Sequence, residues 1–386
     1  MAQIQVRDIT GLGVPGINIR FTPGQGPSDN AIFDVFTDFA GNTGWPIPYF
    51  PVQNWALHLN HANVNPKYLP ESFYLTDTDL DNVKISLALT PLSRLHVWQH
   101  DFYNAANQRV FIKGATDFLL YKRYLDGEDI RPLLAERSAL RGVLGPLQGA
   151  NCVRVIGMVS SFSHWYPQEY GDRYYTSLPA FCQLLAQYSL YVYFTIFADT
   201  QIVMPEQAQQ LRHYHRVIEA LQQVDNVIVE LVNEPYAHQN ATDNPFIFPK
   251  PANIIFFGGS YDDKLGNELR PVPPEDAHDY HTPRDGRDDL TVSGFKWAAD
   301  QAVNAHPEFR KRGKPVMSGE PQKFADPNDP RKGGSTLSNP VNARMMAGSA
   351  RGTACGIFFH TASGVFSTPW NDVEFSCAQA WFRELM

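Results

Sequence analysis

Short apolar runs alternate with longer segments of helical periodicity from about Ser93 to the C-terminus. The runs are rich in β-branched and aromatic residues, as buried strands of a parallel sheet are. Alternating strands and helices build an α/β fold, and eight such runs predict a closed (β/α)8 barrel, the TIM barrel. The predicted strands are Val110–Ala115, Cys152–Ile156, Tyr191–Phe197, Val227–Val232, Asn253–Phe257, Ala277–Tyr280, Pro315–Ser318 and Gly356–His360.

Residues 1–91 have a different pattern, in which short alternating runs are separated by turn clusters rich in Gly, Pro, Asn and Asp. This pattern is typical of a small all-β sandwich. We therefore expect an accessory β-sandwich domain at 1–91 and a barrel domain at 92–386. Two domains suit a chain of 386 residues, since a single core stops growing at roughly 250 to 300 residues. The predicted strands of the first domain are Gln3–Val6, Gly16–Phe21, Ile32–Thr37, Trp55–Asn60 and Val83–Leu89.

The composition argues against several classes of protein. The formal net charge is −8 and no basic run is present, so a nucleic acid is not an expected partner. No apolar stretch approaches the roughly 18 residues of a membrane span, and the N-terminus has no basic-then-apolar leader. We expect an extracellular or periplasmic protein if a leader has been removed, and a cytoplasmic one otherwise. The cysteines lie among apolar residues without a CxxC pair, which favours buried thiols over disulfides or a zinc site: Cys152, Cys182, Cys355 and Cys377.

Two of the predicted strands end alike, in a glutamate followed by proline. Glu234 precedes Pro235 and Glu320 precedes Pro321. Because proline cannot continue a ladder, each strand stops there and its glutamate is held at the rim. Both strand ends belong to the C-terminal face of the barrel, where active sites of this fold lie. Two rim carboxylates on separate strands are the groups that glycoside hydrolysis requires.

The segments around these glutamates resemble those of a known family. ELVNEP at 230–235 resembles the fourth-strand motif of the clan A glycoside hydrolases, in particular the cellulase and mannanase family, glycoside hydrolase family 5. SGE at 318–320 resembles that family's seventh-strand nucleophile motif. The resemblance extends over the barrel and implies a retaining hydrolase of β-linked glycans, acting by double displacement through a glycosyl-enzyme intermediate. It implies Glu234 as the acid/base and Glu320 as the nucleophile.

The N-terminal region has a looser resemblance of its own. GVPG at 13–16 and TDFAGNT at 37–43 are similar to segments of the immunoglobulin-like or transthyretin-like modules that accompany many extracellular enzymes. The resemblance implies an accessory β module in front of the barrel.

Four further residues match the family pattern. By the resemblance, Arg154 contacts the nucleophile and Asn233 binds the sugar 2-hydroxyl. His278 and Tyr280 match the sixth-strand His-x-Tyr pair, which contacts substrate and nucleophile, and strand alternation puts both on one face. Each assignment has a structural alternative, such as an ion pair for Arg154 and rim packing for Tyr280.

The sequence departs from the family at two strand ends. The third strand ends at Asp199, where many members have histidine, and the eighth ends in FHT at 359–361 in place of a tryptophan platform. Aromatic faces stack on sugar rings, so we expect Trp370 to supply the missing platform or to lie in the core. Phe366 and Trp165 are the other candidates.

The motifs of other chemistries are missing. The sequence contains no HExxH, no GxSxG and no glycine-rich phosphate loop after a strand, so no metal or other cofactor is expected. The expected partner is an oligo- or polysaccharide. Two alternatives to hydrolysis stay open: a non-catalytic carbohydrate-binding barrel, and a transglycosylase that uses the same carboxylate pair. The sugar, the linkage, endo or exo action and the oligomeric state are not indicated.

Overall fold

A computed structural model describes residues 92–142, 145–235, 247–262, 274–281, 314–320, 339–351 and 354–385, together with Ile17 and seven N-terminal strands. The chain divides into two compact units. One comprises Met1–Pro91 and Ala139–Gln148, and the other comprises Leu92–Ser138 and Gly149–Met386. Ala139–Gly142 and Gly145–Gln148 pair as an antiparallel hairpin, which interrupts the second unit in sequence.

The second unit is built around a parallel barrel. Its strands, labelled β1 to β8, are separated by helices and loops, and each predicted apolar run overlaps one of them. The (β/α)8 prediction is therefore confirmed. The strands are β1 Ile112–Thr116, β2 Cys152–Ile156, β3 Tyr191–Phe197, β4 Val227–Val232, β5 Ile255–Phe257 with Ser260–Asp262, β6 His278–His281, β7 Val316–Glu320 and β8 Gly356–Phe359.

The barrel closes through its fifth strand. The first part of β5 pairs with β4, and the second part pairs with β6. Gly258 and Gly259 separate the two parts, and a Cβ at Gly259 would lie 3.0 Å from the carbonyl oxygen of Val232. The other strands run in unbroken parallel order from β6 through β7, β8, β1, β2 and β3 to β4. The two parts of β5 pair with the two ends of this row, and so they complete the barrel.

The lower half of the barrel interior is apolar. Gly114 leaves room for a neighbouring ring, since a Cβ there would lie 2.2 Å from the Phe358 side chain. The interior then becomes polar toward the carboxyl ends of the strands, where Arg154 and Glu230 are fully buried. The buried apolar cluster comprises Leu95, Phe102, Ile112, Cys152, Tyr191, Tyr193, Ile228, Ile255, Phe257, Ala277, Met317, Cys355 and Phe358.

Helices follow several of the strands. Gln207–Leu221 buries one face through residues at three- and four-residue spacing, including Tyr214, Val217 and Leu221. The final helix begins at a capping box, in which Asn371 Oδ1 accepts the Glu374 N–H and the Glu374 carboxylate accepts the Asn371 N–H. None of the described helices is long and apolar enough to cross a membrane. The described helices of eight or more residues are Arg131–Ser138, Leu178–Ala186, Gln207–Leu221, Pro340–Arg351 and Asp372–Glu384.

The described part of the N-terminal region consists of strands in two sheets. Asn42–Gly44, Gln3–Arg7 and Val83–Ser86 form a three-stranded sheet in that order. A four-stranded antiparallel sheet has the order Phe33–Phe36, Asn18–Pro23, Asn54–Leu59, Glu71–Thr76. Asn42–Gly44 and Glu71–Thr76 are not among the predicted strands. The connecting segments, which include the motifs at 13–16 and most of 37–43, lie outside the described residues.

All four cysteines are buried thiols that form no disulfide, as predicted. Burial raises the pKa of the Cys152 and Cys182 thiols well above its usual range. These groups are therefore packing residues and not nucleophiles.

Candidate active site

Three strand ends bring two carboxylates and an imidazole together at the carboxyl end of the barrel. Glu234 follows β4, while Glu320 and His281 are the last residues of β7 and β6. One oxygen of each glutamate and one ring nitrogen of His281 all lie within 4.8 Å of one another. The glutamates are 6% and 3% exposed, so both acidic groups are almost fully removed from bulk water.

The backbone at Glu234 is strained. Its φ is +43°, in the left-handed region that side chains other than glycine rarely adopt, at a cost of about 1 to 3 kcal/mol. Strain of this size is retained where the surrounding structure fixes a side chain for a purpose. Here it turns the Glu234 carboxylate toward His281, whose Nδ1 lies 2.8 Å from Glu234 Oε1.

Arg154 is the cation beneath the pair. It is fully buried on β2 and donates from Nη1 to Glu320 Oε1 at 2.8 Å. Its Nη2 donates to Glu230 Oε2 at 2.9 Å and to Asn233 Oδ1 at 2.7 Å. Burial alone lowers the pKa of Arg154, but the neighbouring charges of Glu230 and Asp279 outweigh it and leave that pKa raised. The guanidinium therefore stays charged and is shared between Glu320 and the deeper Glu230.

The second oxygen of Glu320 faces two imidazole rings. His281 Nδ1 is 3.7 Å and His360 Nε2 is 4.0 Å from Glu320 Oε2. His360 follows β8 and is oriented by Thr116, whose Oγ1 lies 3.1 Å from His360 Nδ1. One oxygen of Glu320 is thus held by a guanidinium, and the other faces the two imidazole rings.

The other predicted residues lie in different surroundings. His278 is buried at the first position of β6, with Nδ1 3.4 Å from Glu275 Oε1. Trp370 is buried. Its ring centroid lies 4.1 Å from Cζ of the Arg137 guanidinium and 5.3 Å from the ring centroid of Phe359. The structure thus brings Arg154 and Asn233 to the glutamates but places His278 and Trp370 at other contacts. The Tyr280 side chain lies outside the described residues.

Sequence reasoning missed His281, the histidine that does meet the glutamates. The predicted sixth strand stopped one residue too early, at Tyr280. In the sheet, His281 is paired with Glu320 across β6 and β7. Because neighbouring strands of a parallel barrel end at a common rim, a histidine opposite a rim glutamate was the available signal.

The two departures from the family pattern have clear local roles. Asp199, at the end of β3, accepts the N–H groups of Ser160 and Ser161 through Oδ2 at 2.8 and 2.6 Å, and so fixes the loop after β2. His360 starts a row of aromatic rings that leads outward, with centroid separations of 5.6 Å to Phe118, 6.2 Å on to Phe162 and 6.1 Å on to Phe366. Phe366 is 47% exposed.

A polar layer lies below the rim. Glu230 Oε2 accepts from Thr195 Oγ1 at 2.5 Å as well as from Arg154. Asp279 is fully buried and accepts from Tyr193 OH at 2.8 Å and from Gly319 N at 2.6 Å. Burial, together with the charge of Glu230, raises the pKa of Asp279 to about 8. The sequence analysis did not identify Asp279, Tyr193 or Thr195 as part of this layer.

The raised pKa of Asp279 predicts a pH-dependent stability. Its folded-state pKa of about 8 exceeds the unfolded value, so the folded state binds more protons between these limits and stability falls as pH rises from about 4 to 8. Asp279→Asn removes this titration. The wild type should therefore lose stability between pH 5 and pH 8 that the variant keeps. We expect the free energy of unfolding of the variant, minus that of the wild type, to increase by at least about 1 kcal/mol over this range. Urea denaturation at the two pH values measures it, and a constant difference would contradict it.

The rim group also has the composition of a metal site. Within the described part of the chain, one set of three His, Cys, Asp or Glu side chains is close enough to share an ion. It comprises Glu234, His281 and Glu320. Carboxylate oxygens and an imidazole nitrogen are ligands that zinc accepts. The His281 ring already contacts Glu234 directly, so the arrangement is held together by the protein's own groups.

Comparisons with known proteins show the fold. No protein-family model and no curated protein matches the chain. Among solved structures, a candidate glycoside hydrolase from Bacteroides vulgatus is 12% identical over 96% of this chain and 73% of its own, with a TM-score of 0.52. A β-glucanase from Saccharophagus degradans in complex with cellotetraose is 14% identical over 77% and 93%, with a TM-score of 0.50. A family 5 mannosidase from Rhizomucor miehei is 10% identical over 77% and 98%, with a TM-score of 0.47. At such identities the likeness is one of fold.

Proposed function

We propose that this protein is a retaining glycoside hydrolase that cleaves β-linked glycans. The observation that carries the proposal is the pair of buried carboxylates, Glu234 and Glu320, with oxygens within 4.8 Å of each other. Retaining enzymes hold their carboxyl groups roughly 5 to 5.5 Å apart, whereas inverting enzymes leave about 6.5 to 9.5 Å for a water molecule. The close pair favours direct attack on the anomeric carbon.

The surroundings of the two carboxylates differ in the way the reaction needs. Glu320 accepts from the Arg154 guanidinium, which favours its ionised form and so suits it as the nucleophile. Glu234 faces the imidazole of His281 instead, with Oε1 2.8 Å from Nδ1. It is suited to carry the proton that is given to the leaving oxygen. In the second step it would take a proton from water, and water would release the sugar from Glu320.

Substrate binding is proposed to use the groups around this pair. Asn233 is held by Arg154 beside Glu320, where an amide could bond the hydroxyl next to the anomeric carbon. For the sugar platform, the exposed face of Phe366 with Phe162 replaces the buried Trp370 as our candidate, because stacking requires an accessible ring. The β-glucanase of similar fold directs attention first to β-glucans.

Each of the two domains has a role in the proposed function. We propose that the barrel, 92–386, is the catalytic domain and that 1–91 is an accessory β module of the immunoglobulin-like or transthyretin-like kind, with the hairpin Ala139–Gln148 grouped with it. The location stays a prediction: extracellular or periplasmic if a leader has been removed, and cytoplasmic otherwise.

Release of reducing sugar from β-glucans, mannans, xylans and galactans tests the proposal, with Glu234→Gln beside the wild type. We expect wild-type activity on at least one glycan and a loss on the order of 10²- to 10⁴-fold in the variant, because general acid catalysis contributes about that much. Glu219→Gln, the same change on an exposed helix position, is the matched control and should keep full activity.

The panel also separates the alternatives. A folded wild type that binds a glycan without cleaving it would contradict hydrolysis and favour a carbohydrate-binding barrel. Products longer than the substrate would favour a transglycosylase. Equal activity in Glu234→Gln and wild type would contradict the proposed role of Glu234.

A further inference from the structure

Strand β7 changes register just before Glu320. Opposite β6, Asp279 is paired with Met317, but His281 is paired with Glu320. Two steps along β6 therefore span three steps along β7, which is a β-bulge at Ser318 and Gly319.

The bulge decides where the Glu320 side chain points. Met317 lies in the interior cluster of the barrel, and in a regular strand side chains alternate between the two faces. Glu320, three residues later, would then face outward, away from Arg154. The extra residue reverses the alternation, because a shift of one residue moves a side chain to the other face. Glu320 can therefore contact Arg154 across the barrel interior at 2.8 Å.

Asp279 holds the bulge. Its Oδ1 accepts the Gly319 N–H at 2.6 Å, and a buried amide left without a partner would cost about 1 to 3 kcal/mol. The same carboxylate lies against the Gly319 Cα, since a Cβ there would be 2.4 Å from Asp279 Oδ2. Tyr193, on β3, fixes the other oxygen at 2.8 Å.

We propose that Asp279 is a positioning residue, whose carboxylate holds the β7 bulge at Gly319 and thereby turns Glu320 into the site. The proposal rests on the proposed role of Glu320 as nucleophile. Asp279 also lies two residues before His281 on β6, so alternation puts both side chains inside the barrel. One strand thus supplies the imidazole at the rim and the acceptor that sets the opposite glutamate.

Kinetics of three variants test the proposal on the glycan that the wild type cleaves. Asp279→Ala removes the acceptor, and we expect kcat to fall about 100-fold with KM within about threefold, because misplacement of a reacting group by 1 Å can cost that much. Asp279→Asn keeps an oxygen for the Gly319 N–H and should recover kcat to within about tenfold of wild type. Asp276→Ala, which removes a carboxylate that accepts the Phe256 N–H at 3.1 Å away from the glutamates, is the matched control and should keep kcat within about threefold.

Hydrogen exchange gives a readout that does not depend on turnover. In Asp279→Ala the peptide Val316–Glu320 should exchange at least about tenfold faster than in wild type, while Gly356–Phe359 on β8 stays unchanged. If Asp279→Ala does not fold, Gly319→Ala replaces it. That variant forces a methyl group against the carboxylate and should lower kcat at unchanged KM.

Unchanged kcat and unchanged exchange in Asp279→Ala would overturn the proposal. So would an Asp279→Asn variant as impaired as Asp279→Ala, because the amide oxygen can still accept from Gly319. A wild type that cleaves no glycan would instead overturn the proposed function. In that case the exchange of Val316–Glu320 still decides whether Asp279 holds the bulge.

Discussion

Glu320→Gln is expected to lower kcat on the order of 10⁴-fold or more while the fold is kept. The amide is nearly the same size and its oxygen can still accept from Arg154 Nη1, which now lies 2.8 Å from Glu320 Oε1. It cannot form the glycosyl ester, so the covalent route is closed. The buried Arg154 keeps Glu230 as a charged partner at 2.9 Å, which is why the variant should fold.

Initial rates with saturating glycan, together with a thermal unfolding curve, measure this result. Glu219→Gln, on the exposed face of the helix Gln207–Leu221, controls for the chemical change itself. A folded Glu320→Gln protein that keeps more than about a hundredth of the wild-type kcat would contradict the nucleophile assignment, because nothing else in that step forms the covalent bond.

Arg154→Met is expected to destabilise the protein by about 3 to 5 kcal/mol at pH 7. The side chain is fully buried and is bonded to the carboxylates of Glu230 and Glu320. Its removal takes from both buried carboxylates the guanidinium that they share. Burial then favours the protonated acids, so the folded variant binds more protons than its unfolded chain, and its stability falls as pH rises above about 4.

Urea unfolding at pH 5 and pH 7 measures both parts of this prediction, and the loss relative to wild type should be larger at pH 7. Arg154→Lys keeps the charge but cannot bridge three acceptors, so its loss should be smaller. The control is Arg216→Met, which removes an exposed pair with Asp172 and should cost no more than about 1 kcal/mol. A loss at Arg154 equal to that at Arg216 would contradict the account.

The barrel was predictable because its strands are buried on both faces. Cys152–Ile156, Tyr191–Phe197 and Val227–Val232 are almost wholly apolar, and their observed bounds equal the predicted ones. The division of β5 at Gly258 and Gly259 was not predictable. It depends on pairing with β4 on one side and β6 on the other, which is a property of the closed sheet and not of the local sequence.

The site was predictable where strand ends are marked by sequence. Glu234 and Glu320 each precede a proline, and Arg154 is a lone cation in an apolar strand, so all three could be placed at the rim or just below it. His281 and Asp279 carry no such mark. Their position depends on the register of β6 against β7, and the predicted histidine, His278, lies three residues before the observed one on β6.

Trp370 illustrates a different limit. A tryptophan after the eighth strand suits a sugar platform and suits a core equally well by composition. The guanidinium of Arg137, 4.1 Å from the ring, and the rings of Phe359 and Phe382 decide for the core. Arg137 comes from a distant part of the chain, so only the folded structure separates the two expectations.

Covalent trapping identifies the nucleophile of a retaining hydrolase directly. The protein is incubated with an activated 2-deoxy-2-fluoro-β-glycoside of the sugar that the panel identifies, and the adduct is located by mass spectrometry of peptides. We expect one glycosyl group on Glu320, within the peptide that contains β7, and no adduct in Glu320→Gln. An active enzyme that is labelled on another residue, or that turns over its glycan without ever being labelled, would contradict it.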